Sequence, residues 1–225
     1  MSLTPLTTGL SSDKKTLAAA MQAVLRFNDL KFEVLLPAVV LLFDRGRNVA
    51  TVQPLITWVD VNDNARPRAR YTEIPVLSSG GGGFHISFPL KAGDLGWIYA
   101  SDRDLGIFRA TLQQSKPNTG RCHRFEDGMF IPDVFRKYVI NGEDTNAMVI
   151  QSVDGATRVS IRPDNIKLTA SLVTIDAPSA HFTGNVTVDK TLTATVDAVV
   201  AGISVKGHGH ISSAPGNRTA GAMIA

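Results

Sequence analysis

The residues with the most evident chemistry stand near the end of the chain, in Val205-Lys206-Gly207-His208-Gly209-His210-Ile211. In a strand, alternate side chains leave from one side, so His208 and His210 would project together, about 6.6 Å apart along the backbone. The glycines between and before them let neighbouring backbones approach closely. Two imidazoles do not saturate a metal ion. Three copies around a threefold axis would bring six imidazole nitrogens, one octahedral shell. Such a set suits a borderline divalent transition metal, Fe(II) first, with Ni, Co or Zn as competitors. A pair of solvated histidines in a Gly-rich tail is the plainer alternative. Position favours the metal, because the pair closes a segment that reads as strands wound about an axis, and a metal there would hold three chain ends together without a large core. A hydrolytic or oxygenase centre fits less well. Such centres want a third ligand, often a carboxylate, beside an open position, and no Asp or Glu follows Asp197.

Other chemistry-bearing residues are more dispersed. Cys122 is the one cysteine, which excludes an intrachain disulfide and reads as a free thiol. Arg66, Arg68 and Arg70 form a basic loop that reads as solvated or as a contact for an acidic partner. A barrel loop of this kind also suits single-stranded nucleic acid, but aromatic and basic residues do not alternate as base stacking requires. His85 and His181 are isolated, and the glycines at 80–83 lack the Lys-Ser/Thr of a phosphate loop. No pair of acidic residues has the spacing of a murein hydrolase. A non-enzymatic protein is therefore expected, with an OB-fold binding module (for nucleic acid or protein) carrying a β-rich trimerisation tail, a metalloenzyme and a murein hydrolase as the alternatives.

The elements that must position the histidines follow from composition. Apolar residues make up 44% and aromatics 7% of 225 residues, with 19 Gly and 11 Pro; that balance favours short strands and turns. The net charge of +3 is too small to argue for nucleic acid. No apolar run reaches the ~18 residues of a membrane span, and the first residues lack the layout of a signal peptide, so the protein is expected to be soluble and made in the cytoplasm.

Residues 12–28 predict one helix, capped by Ser12 or Asp13, with Leu17, Met21, Val24 and Leu25 on one stripe that must pack on another domain or subunit. Strands follow at Phe32–Phe43, Val49–Val59, Tyr71–Leu77, Phe84–Phe88 and Leu95–Ala100, the last extended by Gly106–Leu112, with a turn at Asp44–Asn48. They suggest an all-β fold that opens with a small Greek-key barrel of the OB type. Residues 113–140 show no clear pattern.

After Asn146 the chain turns to Val, Ile, Ala, Thr, Ser and Asp. It alternates at Val159-Ile161, Ile166-Leu168-Ala170-Leu172, Val173-Ile175-Ala177, Val186-Val188 and Leu192-Ala194-Val196-Ala198-Val200. Such narrow strands cannot build a core alone. Winding several copies about one axis buries their apolar faces, which implies an intertwined triple-stranded β-helix and an obligate oligomer. Half of a monomeric β-sandwich is the alternative. The expected division is a helical segment at 1–30, the barrel at 31–115, a connection at 116–147, the β-helix at 148–205 and a metal-binding apex and tail at 206–225.

The order of helix, barrel, Val/Thr/Ala-rich β segment, Gly-His-Gly-His and Pro/Gly tail resembles the central spike, or baseplate assembly V-type protein, of contractile phage tails. The stretch Pro89-Leu90-Lys91-Ala92-Gly93-Asp94-Leu95-Gly96-Trp97-Ile98 with Arg103-Asp104-Leu105 is similar to that family's barrel signature. The resemblance implies a homotrimer at the tip of the tail baseplate in the virion. It implies iron (Fe2+) held by His208 and His210 of three chains, a barrel end attached to tail hub proteins, and a tip driven through the host outer membrane when the sheath contracts. Some relatives carry axial calcium or chloride. No motif places those ions here, and Asp176, Asp189 and Asp197 read as solvated or as axial groups.

Overall fold

The computed structural model describes residues 15–29, 32–60 and 64–207. It is mostly β with few helices, as expected, and forms two compact units, one running through Ser171 and the other starting at Leu172.

Helix α1 spans Leu17–Asp29. Thr16 caps it, with its Oγ1 accepting a hydrogen bond from the Ala19 amide at 3.1 Å. That satisfies one of the donors a helix start leaves open, and it replaces the expected cap at Ser12 or Asp13, which lie outside the described residues. The strands that follow are β1 (Leu35–Asp44), β2 (Val49–Pro54), β3 (Trp58–Val59), β4 (Ala65–Arg66), β5 (Tyr71–Pro75), β6 (Ser79–Gly81), β7 (Phe84–Ile86) and β8 (Leu95–Ser101). Helix α2 (Gly106–Thr111) precedes β9 (Arg124–Pro132). Beyond a single 3-10 turn at Gly142–Asp144 come β10 (Met148–Gln151), β11 (Arg158–Ile161), β12 (Ile166–Thr169), β13 (Val199–Val200) and β14 (Ile203–Ser204).

Five strands form one antiparallel sheet in the order β5-β2-β1-β8-β9. Its two outer strands meet through a parallel bridge between Val76 and Phe130, and the Leu77 amide donates to the Phe130 carbonyl at 2.8 Å. The sheet is thus nearly closed, with the strand order of an OB-like barrel. Register shifts between Val40 and Leu42, Ala50 and Val52, and Tyr99 and Ser101 bend the strands enough to close it. The expected turn at Asp44–Asn48 is present. The Asp44 carboxylate accepts the Arg47 amide at 3.1 Å, Asn48 takes a left-handed φ of 54°, and its side-chain amide donates to Val76 O at 2.7 Å.

The inward residues are small except for Phe125 and Phe130. Ala38, Val40, Val52, Ile74 and Ile98 surround them and are fully buried. Two glycines on the β8–β9 pair make that filling possible. A Cβ on Gly96 would stand 2.4 Å from the Phe130 ring and from Ile131 O, and one on Gly128 would stand 1.8 Å from Tyr99 O. Phe130 therefore fills a space that Gly96 leaves. Phe130→Ala is expected to cost about 3–5 kcal/mol, read as a lower urea midpoint at unchanged slope.

The barrel is assembled differently from expectation at four places. Phe84–Ile86 pairs with Ser79–Gly81 as a separate hairpin, because Gly82 and Gly83, at φ of 60° and 88°, make a tight turn. Gly106–Thr111 is helical rather than a strand extension. The fifth barrel strand lies at Arg124–Pro132, so the barrel runs past residue 115 into the segment expected to be a connection. The expected strand Val49–Val59 also ends at Pro54 and resumes at Trp58.

Beyond the barrel, β10, β11 and β12 form a three-stranded antiparallel meander. Residues 170–198 carry no strand, and β13 and β14 make a short hairpin.

Candidate functional site

The β10–β12 sheet has two unlike faces. Cross-strand rows set Met148 beside Ile161 and Ile166, and Ile150 beside Val159 and Leu168. Strand alternation puts both rows on one face, which is wholly apolar. Met148, Ile150, Ile166 and Leu168 are 58–69% exposed, and Val159 and Ile161 are half-buried.

The opposite face is charged and closed by its own chain. Asp144, in the 3-10 turn, is buried and accepts from Arg158 Nε and Arg162 Nη2, each at 2.7 Å. Glu143 accepts from Lys167 Nζ at 2.8 Å and also pairs with Arg158. Arg162 reaches on to the Glu143 carbonyl at 3.1 Å. Ser160 lies fully buried on this face.

Hydrogen bonds from Lys167 and Arg158 hold the Glu143 carboxyl below its ordinary value of 4.5. For Asp144, burial pushes the other way, but the neighbouring Ser160 hydroxyl, Arg158 and Arg162 outweigh it and keep the carboxyl below 3.8. Both folded values are depressed. Their contribution to stability is therefore complete above the unfolded values of 4.5 and 3.8 and is lost as pH falls through the lower folded ones. Thermal melts between neutral pH and about pH 3 should show this loss, and Glu143→Gln with Asp144→Asn should flatten the acid limb while lowering stability at neutral pH.

Exposed apolar residues continue into the second unit. Leu172, Ile175, Leu192 and Val196 are 69–79% exposed. At its described end, β13 and β14 are joined by Ala201 and Gly202, at φ of 51° and 82°. The Asp197 carboxylate accepts the Lys206 amide at 3.1 Å, and Ser204 Oγ accepts the Gly207 amide at 2.9 Å. A hydrogen bond from Ser204, then one from the Lys206 amide, holds the Asp197 carboxyl below its ordinary range. Asp197 thus braces the hairpin immediately ahead of Gly207. Asp176 and Asp189 are exposed. His208 and His210 lie outside the described residues. Among the described residues, no three His, Cys, Asp or Glu side chains group as metal ligands would.

Of the other residues singled out from sequence, Arg66, Arg68 and Cys122 have side-chain partners within the fold. Arg68 makes an ion pair with Glu33 in which both side chains are 9% exposed, donates through Nε to Ile56 O at 2.7 Å, and lies 3.7 Å over the Trp58 ring. Arg66 Nε donates to Asp60 at 3.0 Å. His85 sits on exposed β7, and His181 is exposed. Cys122 is half-buried, and its sulfur accepts from Arg103 Nη1 at 2.6 Å. A cleft of about 730 Å³ lined by Phe88, Leu90, Leu95, Pro132 and Val134 also holds Asp94 and Asp133. Both carboxylates are committed to structure: Asp94 accepts the Lys91 amide, and Asp133 accepts the Phe135 amide and Trp97 Nε1, all at 2.8 Å.

Glu33, Glu143, Asp144, Arg158 and Arg162 were not singled out by sequence reasoning. Their partners lie 14 to 35 residues away, beyond any local spacing rule.

Residues 36–133 match a family model described as the phage protein Gp138 N-terminal domain. The matched span starts inside β1 and ends one residue after β9, so it coincides with the barrel. No curated protein matches the chain. The match supports a structural protein of a phage. No described helix is long and apolar enough to cross a membrane.

Proposed function

We propose that this chain is the tail-tip spike of a contractile phage, a homotrimer whose C-terminal half winds into an intertwined β-helix that pierces the host outer membrane. One observation carries the reading: directly after a phage-family barrel, a sheet whose charged face is sealed by its own chain leaves a six-residue apolar face bare. Each large apolar side chain moved from water into a core contributes about 1.5–3 kcal/mol. Three copies meeting on that face remove four well-exposed side chains per chain from water. In the second unit Leu172, Ile175, Leu192 and Val196 are exposed as well, and burying them between chains would add to the same gain.

Piercing calls for stiffness and a narrow point rather than catalysis. Strands paired between chains supply the stiffness, since no chain can then unfold alone. His208 and His210 of three chains would hold one transition-metal ion, iron (Fe2+) before its neighbours, and the six-imidazole donor set fits that chemistry. The ion would lock three ends together. The barrel, closed within each chain, would face the tail hub, and the β-helix would point toward the host.

The test is a tagged copy of the chain in assembled phage, located by electron microscopy. Label at the distal end of the tail baseplate is expected. Label on the head, or none in the virion, contradicts the proposal.

A further inference from the structure

Helix α1 is apolar almost all round. Nine of the thirteen residues of Leu-Ala-Ala-Ala-Met-Gln-Ala-Val-Leu-Arg-Phe-Asn-Asp are hydrophobic. A helix of that composition belongs in an interior, and one of thirteen residues, about 20 Å long, is marginal in water unless it packs. Yet the residue it buries is a small one, and four of its large ones are turned outward. Ala23 is 7% exposed, whereas Leu17, Met21, Val24 and Leu25 are 60–78% exposed.

The outward residues follow a rule of spacing. Leu17, Met21 and Val24 are separated by four and then three positions, and Asn28 comes four further on. This is the seam of a helix bundle, with Asn28 at a seam position where a polar side chain fixes alignment between identical helices. Leu25, Ala18 and Ala20 flank the seam and are apolar as well, so the stripe is wider than a two-stranded coiled coil needs and suits a bundle of more helices. No charged residue lies on it to repel a second copy.

We infer that the α1 stripe packs against the same stripe of the other two copies, forming a three-helix bundle that joins the subunits at the N-terminal end. The inference rests on the threefold assembly proposed above. That assembly tethers three helices, each ending six residues before its own β1, and so raises their effective concentration for one another. The occupant of the stripe is therefore a second copy of this chain.

The test uses the full chain in a Cys122→Ser background, which removes the native thiol. Met21→Cys places a thiol on the seam, and Gln22→Cys places one on the polar arc. Both proteins are sized by sedimentation, then oxidised mildly and run on non-reducing gels. Expected are trimers for both, with covalent dimers formed within the trimer peak by Met21→Cys and not by Gln22→Cys. Intact trimers without the Met21→Cys cross-link would overturn the bundle and leave the threefold reading standing. Equal cross-linking at both positions would also overturn it, since no defined seam would exist. Monomeric protein before oxidation would remove the threefold reading itself, and the bundle with it.

Discussion

The double variant Ile150→Lys with Leu168→Lys is expected to sediment as a monomer, and the wild-type chain as a trimer. The two residues flank Val159 in one cross-strand row of the bare face. Lysine at either position keeps its charge solvated in a single copy and must lose that solvation when three faces meet. Burying an unpaired ammonium costs several kcal/mol, and the threefold arrangement repeats the cost in every chain. The barrel closes within one chain, so Trp97, which donates to Asp133 at 2.8 Å, should keep its native fluorescence. Lys167→Ala, on the opposite face, serves as the control and should leave the mass unchanged. A double variant that remains trimeric would show that this face is not the contact.

The second large effect is expected at the chain end. His208→Ala with His210→Ala should lower bound transition metal from about one ion per three chains to none, because no other imidazole pair stands in that segment. Most of the trimer should survive, since aliphatic burial along the β segment does not depend on the ion. Elemental analysis of the purified protein reads the first effect and sedimentation the second. Unchanged metal content would place the ion elsewhere. Loss of the trimer along with the metal would mean that the tip, rather than the apolar seam, holds the chains together.

Much of the barrel was legible because its first strands obey a simple period. In β2, Ala50, Val52 and Pro54 are buried in strict alternation, and the Asp44–Asn48 turn carries its own side-chain hydrogen bonds. The fifth strand was not legible, for a physical reason. In β9 the buried residues are Phe125, Asp127, Gly128 and Phe130, so the alternation slips where the strand bulges against Tyr99 and Ser101. One of the inward residues is also a carboxylate, acceptable there because Arg121 reaches it at 3.0 Å. A buried Asp and a missing period together hide a strand from any reading of hydrophobic pattern.

The bare apolar face of the β10–β12 sheet was half legible. The alternation at Val159-Ile161 and Ile166-Leu168 announced an apolar side. Which side the chain seals by itself depends on Asp144 meeting Arg158 and Arg162, contacts that only the folded chain brings together. Likewise, the α1 stripe was evident from spacing, but its outward direction was not, because an apolar stripe ordinarily faces the core. The His208–His210 pair was found by its chemistry and lies beyond the described residues, so its role stands on the donor set and on the hairpin that Asp197 braces just before it.

Native mass spectrometry of the full-length wild-type protein tests the threefold assembly most directly. The account predicts a dominant species at three times the 24.1 kDa chain mass, carrying one transition-metal ion. A dominant species at the mass of one chain, folded and free of metal, would contradict it.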